Sequence, residues 1–338
     1  LKVFDTIQYS VSRYRILINP HSRRGGDPQL PEAIARAFAQ VSHDVVIPNS
    51  RAQFLQAAYD ARAAGVDVLV IVGGDGSLNT VLSALTDGQM ALAIIPAGTA
   101  NDFARHLGMP TETQAACQAI LTGKVVWHDL AKVGDAFFLT GGGVGVVSRI
   151  ALGVHALKTR QDIIGSCFRR LAGFAYTYHS AVTLLTGTRL DCRLGISLDG
   201  QSFDATQTLA LFVNKQPAIG SNLTVCPAAR PDDGVLSICW IGMRPRFKNL
   251  WMNALLFFGG RHGRLEQVRM LQGKKLTLHS PEWLIFAGDG ERLAEGHTMH
   301  LCVVPQALRV IYPDTDAALP TWATDTSAPE AIGTRGER

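Results

Sequence analysis

The sequence predicts an α/β N-terminal domain built on a doubly wound parallel sheet, followed by a mainly β, sandwich-type C-terminal domain with helical insertions. Three observations carry this expectation. From Arg15 to about Val126, short apolar runs alternate with helical patterns, the rhythm of βαβ units. After Val126, short strand-like runs bounded by Gly, Pro or Asp take over. The chain has 338 residues, 47% of them hydrophobic, enough to bury two cores.

In the first half the expected strands are Arg15–Asn19, Val45–Ile47, Val68–Val72 and Leu92–Ile95, with helices starting near Pro31, Ala52 and Leu78. The run from Val68 to Val72 is β-branched and continuously apolar, as in a strand buried on both faces of a parallel sheet. In the second half, strands are expected at 136–140, 192–198, 208–213, 235–241, 275–279, 283–287, 299–304 and 308–312, interrupted by helical insertions at about 150–186 and 245–258. The resulting domains are 14–130, nucleotide-binding, and 131–313, β-rich. Residues 314–338, rich in Ala, Thr, Asp and Pro, form an expected tail that is partly disordered.

Net charge is +4, mildly basic, and no basic run is long enough to argue for nucleic acid. The six cysteines, at 117, 167, 192, 226, 239 and 302, form no C-x-x-C pair and read as free thiols of a reducing compartment. The first residues lack a charged segment followed by an apolar one, so the expected location is cytoplasmic. The stretch from Leu171 to Thr188 carries no formal charge, but Gly173, Thr177, His179, Ser180 and Thr183 make it too polar for a membrane span.

Two glycine-rich turns follow successive strands: Val72-Gly73-Gly74-Asp75-Gly76-Ser77 and Pro96-Ala97-Gly98-Thr99-Ala100-Asn101-Asp102. Either alone is equally an ordinary strand-to-helix turn. Together, at one edge of a parallel sheet, they can face a single anionic ligand. Three further segments stand out: the loop from Asn19 to Gly26, which contains Ser22; the acidic turn Arg230-Pro231-Asp232-Asp233-Gly234-Val235; and Gly288-Asp289-Gly290-Glu291, which also reads as an Asp-Gly hairpin turn.

These five segments, in this order, resemble the diacylglycerol kinase catalytic family, lipid kinases that include sphingosine and ceramide kinases. The resemblance runs from about Tyr14 to Tyr312. It implies ATP as phosphoryl donor and Mg²⁺ as cofactor. Implied nucleotide contacts are Asn19, Ser22, Gly73, Gly74, Asp75, Gly76, Ser77, Leu78, Asn79, Thr80, Gly98, Thr99, Asn101 and Asp102. It also implies Asp233 as a magnesium-linked acid with the carbonyls of Arg230 and Val235 as co-ligands, and Asp289 and Glu291 as a catalytic turn. Glu291 is the better match to the family's proton acceptor, with Asp75 as its rival. Ser77 stands where threonine is usual, and Thr80 where many members have glutamate.

The implied acceptor is a lipid: diacylglycerol, phosphatidylglycerol or a sphingoid base. Ile163, Ile164, Cys167, Phe168, Leu171, Phe174, Ala175, Tyr178 and Val182 form an apolar stripe at helical spacing, and Lys158, Arg160, Arg169 and Arg170 flank it. The stripe is either core-facing or an acyl-pocket wall at a membrane surface, so peripheral association with the inner membrane face is an expectation. A kinase acting on a small molecule, such as NAD kinase, and a non-catalytic lipid-binding protein of the same fold stay open. Oligomeric state is undetermined, a dimer included.

Overall fold

The computed structural model describes residues 13–159, 172–187, 190–220, 223–256 and 261–314. Its first half contains β1 (Arg13–Ile18), α1 (Leu30–Ala37), β2 (Ser42–Val46), α2 (Arg51–Ala63), β3 (Val68–Gly73), α3 (Asp75–Val81), β4 (Ala91–Pro96), α4 (Asp102–His106) and α5 (Thr113–Thr122). The four strands pair in parallel in the order β2-β1-β3-β4. Every residue of β3 and β4 is buried, as their unbroken apolar runs require. The chain reverses its direction of travel across the sheet between β1 and β3. Loops leaving the carboxyl ends of those two strands therefore flank the crevice where such sheets bind ligands.

The second half contains β5 (Lys124–Val133), β6 (Ala136–Phe138), β7 (Gly141–Gly145), α6 (Val146–Thr159), α7 (Ala172–Thr186), β8 (Cys192–Leu198), β9 (Gln201–Asn214), β10 (Ala218–Ile219) and β11 (Leu223–Thr224). It continues through β12 (Leu236–Gly242), α8 (Arg246–Leu256), β13 (Val268–Gly273), β14 (Lys275–Gly288) and β15 (Glu291–Tyr312). Strands β9 and β14 are long enough to serve two layers. The start of β9 pairs with β8 and its end with β7 and β12, and β14 likewise meets β8 at one end and β7 at the other. Between these layers lies a core that includes Val144, Ile196, Leu211, Ile238, Phe286 and Leu301.

Three expectations need correction. The runs at 275–279 and 283–287 are one strand, β14, and those at 299–304 and 308–312 are one strand, β15; each carries a register shift that breaks the alternation and so reads as a gap. Strands β5, β7 and β13 were not expected. In β7 the sequence Gly-Gly-Gly-Val-Gly lacks the side chains on which a strand signal depends. Finally, 307–312 leave the sandwich core, pairing with the first part of β5 and with β4. Ala307, Leu308, Val310, Ile311 and Tyr312 are buried in the core of the first sheet, so the chain's last described strand returns to its beginning.

The expected tail from residue 315 onward, and Ile163, Ile164, Cys167, Phe168, Leu171, Arg160, Arg169 and Arg170, lie outside the described residues. No helix among the described residues is long and apolar enough to cross a membrane. The described cysteines, Cys117, Cys192, Cys226, Cys239 and Cys302, are free thiols.

Leu308 is completely buried in the first core although it belongs to the strand shared with the second. Leu308→Ala should cost about 2–5 kcal/mol. Urea unfolding followed by circular dichroism and by tryptophan fluorescence should keep one shared midpoint that falls as a whole; separate transitions for the two halves would contradict the shared-strand architecture.

Candidate active site

The loops after β1, β3 and β4 converge with the β14–β15 hairpin on one cleft of about 1050 Å³. The first loop is held by its own polar side chains. Asn19 Nδ2 donates to Ser77 Oγ at 2.8 Å, which ties the first loop to the second, and Ser22 Oγ donates to the Asn19 carbonyl at 2.8 Å. Arg24 braces the same loop against the third, donating to the carbonyls of Thr111 and Pro96.

The second and third loops touch backbone to backbone. A Cβ on Gly98 would lie 2.6 Å from the Gly74 Cα, so neither side of this contact has room for a side chain. Asn101 adopts a left-handed conformation, φ 50°, and folds its amide back on Gly98, accepting from the Gly98 N–H at 2.9 Å. Asp75 completes the junction: its two carboxylate oxygens accept the N–H groups of Asp102 and Phe103 at 3.1 and 3.0 Å. A side chain from the second loop thus caps the helix that leaves the third.

Across the cleft, β14 and β15 are joined by Asp289 and Gly290, both with positive φ, the geometry of a two-residue Asp-Gly hairpin. The hairpin reading and the site reading of this segment are therefore the same object. Asp289 accepts from the N–H groups of Leu139 and Thr140, both at 2.9 Å, from Thr140 Oγ1 at 2.6 Å and from Asn79 Nδ2 at 3.2 Å. The next acid, Glu291, pairs with Arg51 at 2.6 Å. Asp102 accepts the Gly220 N–H at 2.8 Å, a third tie between the two halves.

Of the residues expected to contact a nucleotide, Asn19, Ser22, Gly74, Asp75, Gly76, Ser77, Thr80, Gly98, Thr99 and Asp102 line the cleft, together with Asp289 and Glu291. Gly73, Leu78, Asn79 and Asn101 do not. Gly73 ends β3, Leu78 is buried in the core, Asn79 holds Asp289 and Asn101 holds Gly98. The sequence reading missed Arg51, which follows the Ser50 N-cap of α2 and reaches Glu291. It also missed Thr140 and the role of Arg24. A basic residue at the start of a helix carries no local signal of a partner 240 positions away.

The expected magnesium ligands stand elsewhere. Arg230, Asp233 and Val235 are absent from the cleft lining, and the buried Lys215 ammonium donates to Asp233 Oδ1 at 2.8 Å and to the Val235 carbonyl at 2.7 Å. The Asp233, Arg230 and Val235 set expected to hold magnesium thus stands apart from the cleft, with Asp233 Oδ1 and the Val235 carbonyl facing an ammonium. Among the described residues no group of three or more His, Cys, Asp or Glu side chains is arranged to hold a metal ion.

Two cleft acids have cationic partners, Asp102 with Arg105 and Glu291 with Arg51, whereas Asp75 and Asp289 are held by N–H and hydroxyl donors. Burial, then the Asp102 carboxylate, raise the Asp75 carboxyl to about 6, against the lowering effect of the two N–H groups it accepts. Burial likewise raises Asp289, partly offset by Thr140, Leu139 and Asn79. The remaining polar lining includes His21, Arg23 and Arg51, and the opposite end is apolar, with Val146, Val147, Ile150, Leu184, Phe212 and Leu256.

Two expectations follow for the ligand-free protein. Gly98→Ala forces the second and third loops apart and should lower the melting temperature by several degrees while leaving the far-ultraviolet circular dichroism at room temperature intact. Asp75 has a folded-state pKa of about 6 against an ordinary value of 3.8. The folded chain therefore holds the extra proton within that window, and the stability due to it is lost as pH rises towards 6. The melting temperature of Asp75→Asn relative to wild type should then rise between pH 4 and pH 7.5, by roughly 2 °C or more; a difference that does not change with pH would contradict the raised pKa.

The comparisons agree with this geometry. Residues 13–133 match the family model described as the diacylglycerol kinase catalytic domain, and residues 148–312 match the YegS C-terminal NAD kinase beta sandwich-like domain. A Pseudomonas aeruginosa protein named "Probable lipid kinase YegS-like" is 30% identical over 304 residues, covering 88% of this chain and 94% of the relative. A Mycobacterium tuberculosis protein named diacylglycerol kinase is 29% identical over 320 residues, covering 90% and 97%. A crystal structure of a diacylglycerol kinase from Bacillus anthracis shares the fold with a TM-score of 0.67 at 19% identity, covering 91% of this chain and 98% of that one. By its two matched domains and its full-length relatives, this chain belongs to the diacylglycerol kinase catalytic-domain family of lipid kinases.

Proposed function

We propose that the protein is an ATP- and magnesium-dependent kinase that transfers the γ-phosphoryl group to a hydroxyl of a diacylglycerol-class lipid. The observation that carries this reading is the two-ended cleft. Glycine loops, His21, Arg23 and Arg51 supply a phosphate cradle at one end, and an apolar wall of Val146, Ile150, Leu184 and Leu256 opens from the same space. A nucleotide acceptor such as NAD would present polar riboses and phosphates to that wall, which disfavours the NAD kinase reading. The intact set of Asp75, Asp289 and Glu291 disfavours a purely non-catalytic binder.

In this reading the first turn of α3, which no side chain caps, receives phosphate oxygens. A magnesium ion arriving with the nucleotide would be held mainly by its phosphates, with Asp75 and Asp102, whose oxygens accept N–H groups and the Arg105 guanidinium, as neighbouring negative charge. Bound there, it would supply neutralisation of charge on the transferring group. Asp75 and Asp289 are tied by backbone N–H groups and hold the loops in register. Glu291 is held instead by the long side chain of Arg51, which is 62% exposed. Phosphate can draw Arg51 away and leave the Glu291 carboxylate to accept the acceptor hydroxyl's proton. Glu291→Gln should lower kcat by about 10²–10⁴-fold with nucleotide affinity retained. Transfer of labelled phosphate from ATP to diacylglycerol, phosphatidylglycerol, sphingosine or NAD identifies the acceptor, and labelling of NAD alone would overturn the lipid reading.

Peripheral membrane contact belongs to the same proposal. Helix α8 buries Asn249, Met252, Asn253 and Leu256, and Asn253 and Leu256 line the cleft. Its outer face exposes Phe247 and Trp251, 69% and 64% accessible. Arg244, Arg246, Lys248, Arg261 and Arg264 accompany them, with no acidic residue between 235 and 265. Exposed aromatics among cations are the signature of a helix lying at an anionic interface. The double variant Phe247→Ala, Trp251→Ala should sediment less with phosphatidylglycerol vesicles and show a raised KM for vesicle-borne lipid at unchanged kcat. Equal sedimentation with wild type would remove α8 from the interface.

A further inference from the structure

We infer that Lys215 is a tethered cation: its ammonium neutralises the buried Asp129–Asp233 pair in place of a divalent ion, and makes the fold of the β-rich half independent of metal. Lys215 directly follows β9 and is completely buried, a costly position for a lysine unless every charge and donor is matched. All three of its N–H donors are matched. Nζ donates to Asp129 Oδ2 at 2.9 Å, to Asp233 Oδ1 at 2.8 Å and to the Val235 carbonyl at 2.7 Å.

These distances suit N–H···O bonds and are too long for oxygens around Mg²⁺, about 2.1 Å, or Ca²⁺, about 2.3–2.6 Å. Backbone N–H groups reach the same acids. Asp129 Oδ2 accepts the Gly234 N–H at 2.8 Å, Asp129 Oδ1 the Gln306 N–H at 3.0 Å, and Asp233 Oδ1 the Val235 N–H at 3.2 Å. The Asp129 N–H in turn donates to the Pro231 carbonyl at 2.6 Å.

The cluster therefore joins four segments. Asp129 comes from β5, Gln306 from the register shift of β15, Asp233 and Val235 from the turn before β12, and Lys215 from the end of β9. Two carboxylates and a carbonyl around one cationic centre form the donor set of a divalent-ion site. Here the chain fills that centre with its own side chain, so the charge cannot be removed by a chelator or diluted away. Deleting the ammonium while leaving space should convert the cluster into a genuine metal site.

The test is thermal unfolding without nucleotide, in EDTA and in 5 mM Mg²⁺ or Mn²⁺, with elemental analysis of the dialysed protein. Wild type should melt at the same temperature in all three and carry no stoichiometric metal. Lys215→Ala, which leaves a cavity lined by both carboxylates, should melt on the order of 5–10 °C lower in EDTA and recover at least half of that in either metal. Lys215→Met, which fills the space without charge, should lose a similar amount and recover nothing. If Lys215→Ala is obtained folded only from magnesium-containing buffer and unfolds on chelation, the inference is equally supported. It is overturned by a wild-type melting temperature that falls in EDTA and returns with magnesium, by an equivalent of metal retained in dialysed wild type, or by a Lys215→Ala variant that neither metal stabilises. Each readout is independent of the kinase activity, so failure here leaves that proposal standing.

Discussion

Parallel pairing of Arg309 and Val310 with Ala91 and Leu92 carries β15 out of the sandwich and into the first sheet, where Leu308, Val310 and Ile311 are completely buried. The other end of the same strand begins at Glu291, directly after the Asp289–Gly290 turn. A single strand is therefore anchored in one core and delivers its first residues to the cleft mouth, so the acids of the second half are positioned by the packing of the first. Asn79 to Asp289, Arg51 to Glu291 and Asp102 to Gly220 then close the cleft with polar contacts that separate domains would not keep in register.

The two glycine loops add a local constraint of a different kind. Backbone contact between Gly74 and Gly98 brings the carboxyl ends of β3 and β4 nearer than side chains would permit, and the Asp75 carboxylate bridges the junction to α4. Burial at this junction, and then the nearness of Asp102, raise the Asp75 pKa. The destabilised carboxylate is a cost to the empty fold that a cationic or magnesium-bearing ligand would relieve, the usual relation between a binding site and the stability of its scaffold.

Charge is handled in opposite ways at the two ends of the second half. In the cleft, Asp75 and Asp289 are held by N–H and hydroxyl donors rather than by cations, and the arginine that answers Glu291 is itself exposed. Around Lys215 all three ammonium donors are satisfied by the chain, and the cluster clamps β5, β9, β15 and the turn at 230–235 into one unit. The Asp-Asp-Gly turn, which the family resemblance links to magnesium, meets in the fold a lysine 18 residues upstream.

Strands β3 and β4, the glycine loops and the Asp-Gly hairpin were legible in the sequence because their signals are local: unbroken apolar runs, glycines at strand ends, and a two-residue turn that demands positive φ. Cleft-lining residues from Asn19 to Asp102 followed from those loops for the same reason. Leu78, Asn79 and Asn101 share the loops but turn into the core or onto neighbouring backbone, a choice set by side-chain direction rather than by position in a motif. Strand β7 was hidden by its glycines, and the unity of β14 and β15 by register shifts. The sequence by itself thus determined which segments turn, which are buried and which carry charge. Tertiary structure alone decided which cation meets which carboxylate, Arg51 with Glu291 and Lys215 with Asp129 and Asp233, because an ion pair depends on distance in space and leaves no period along the chain.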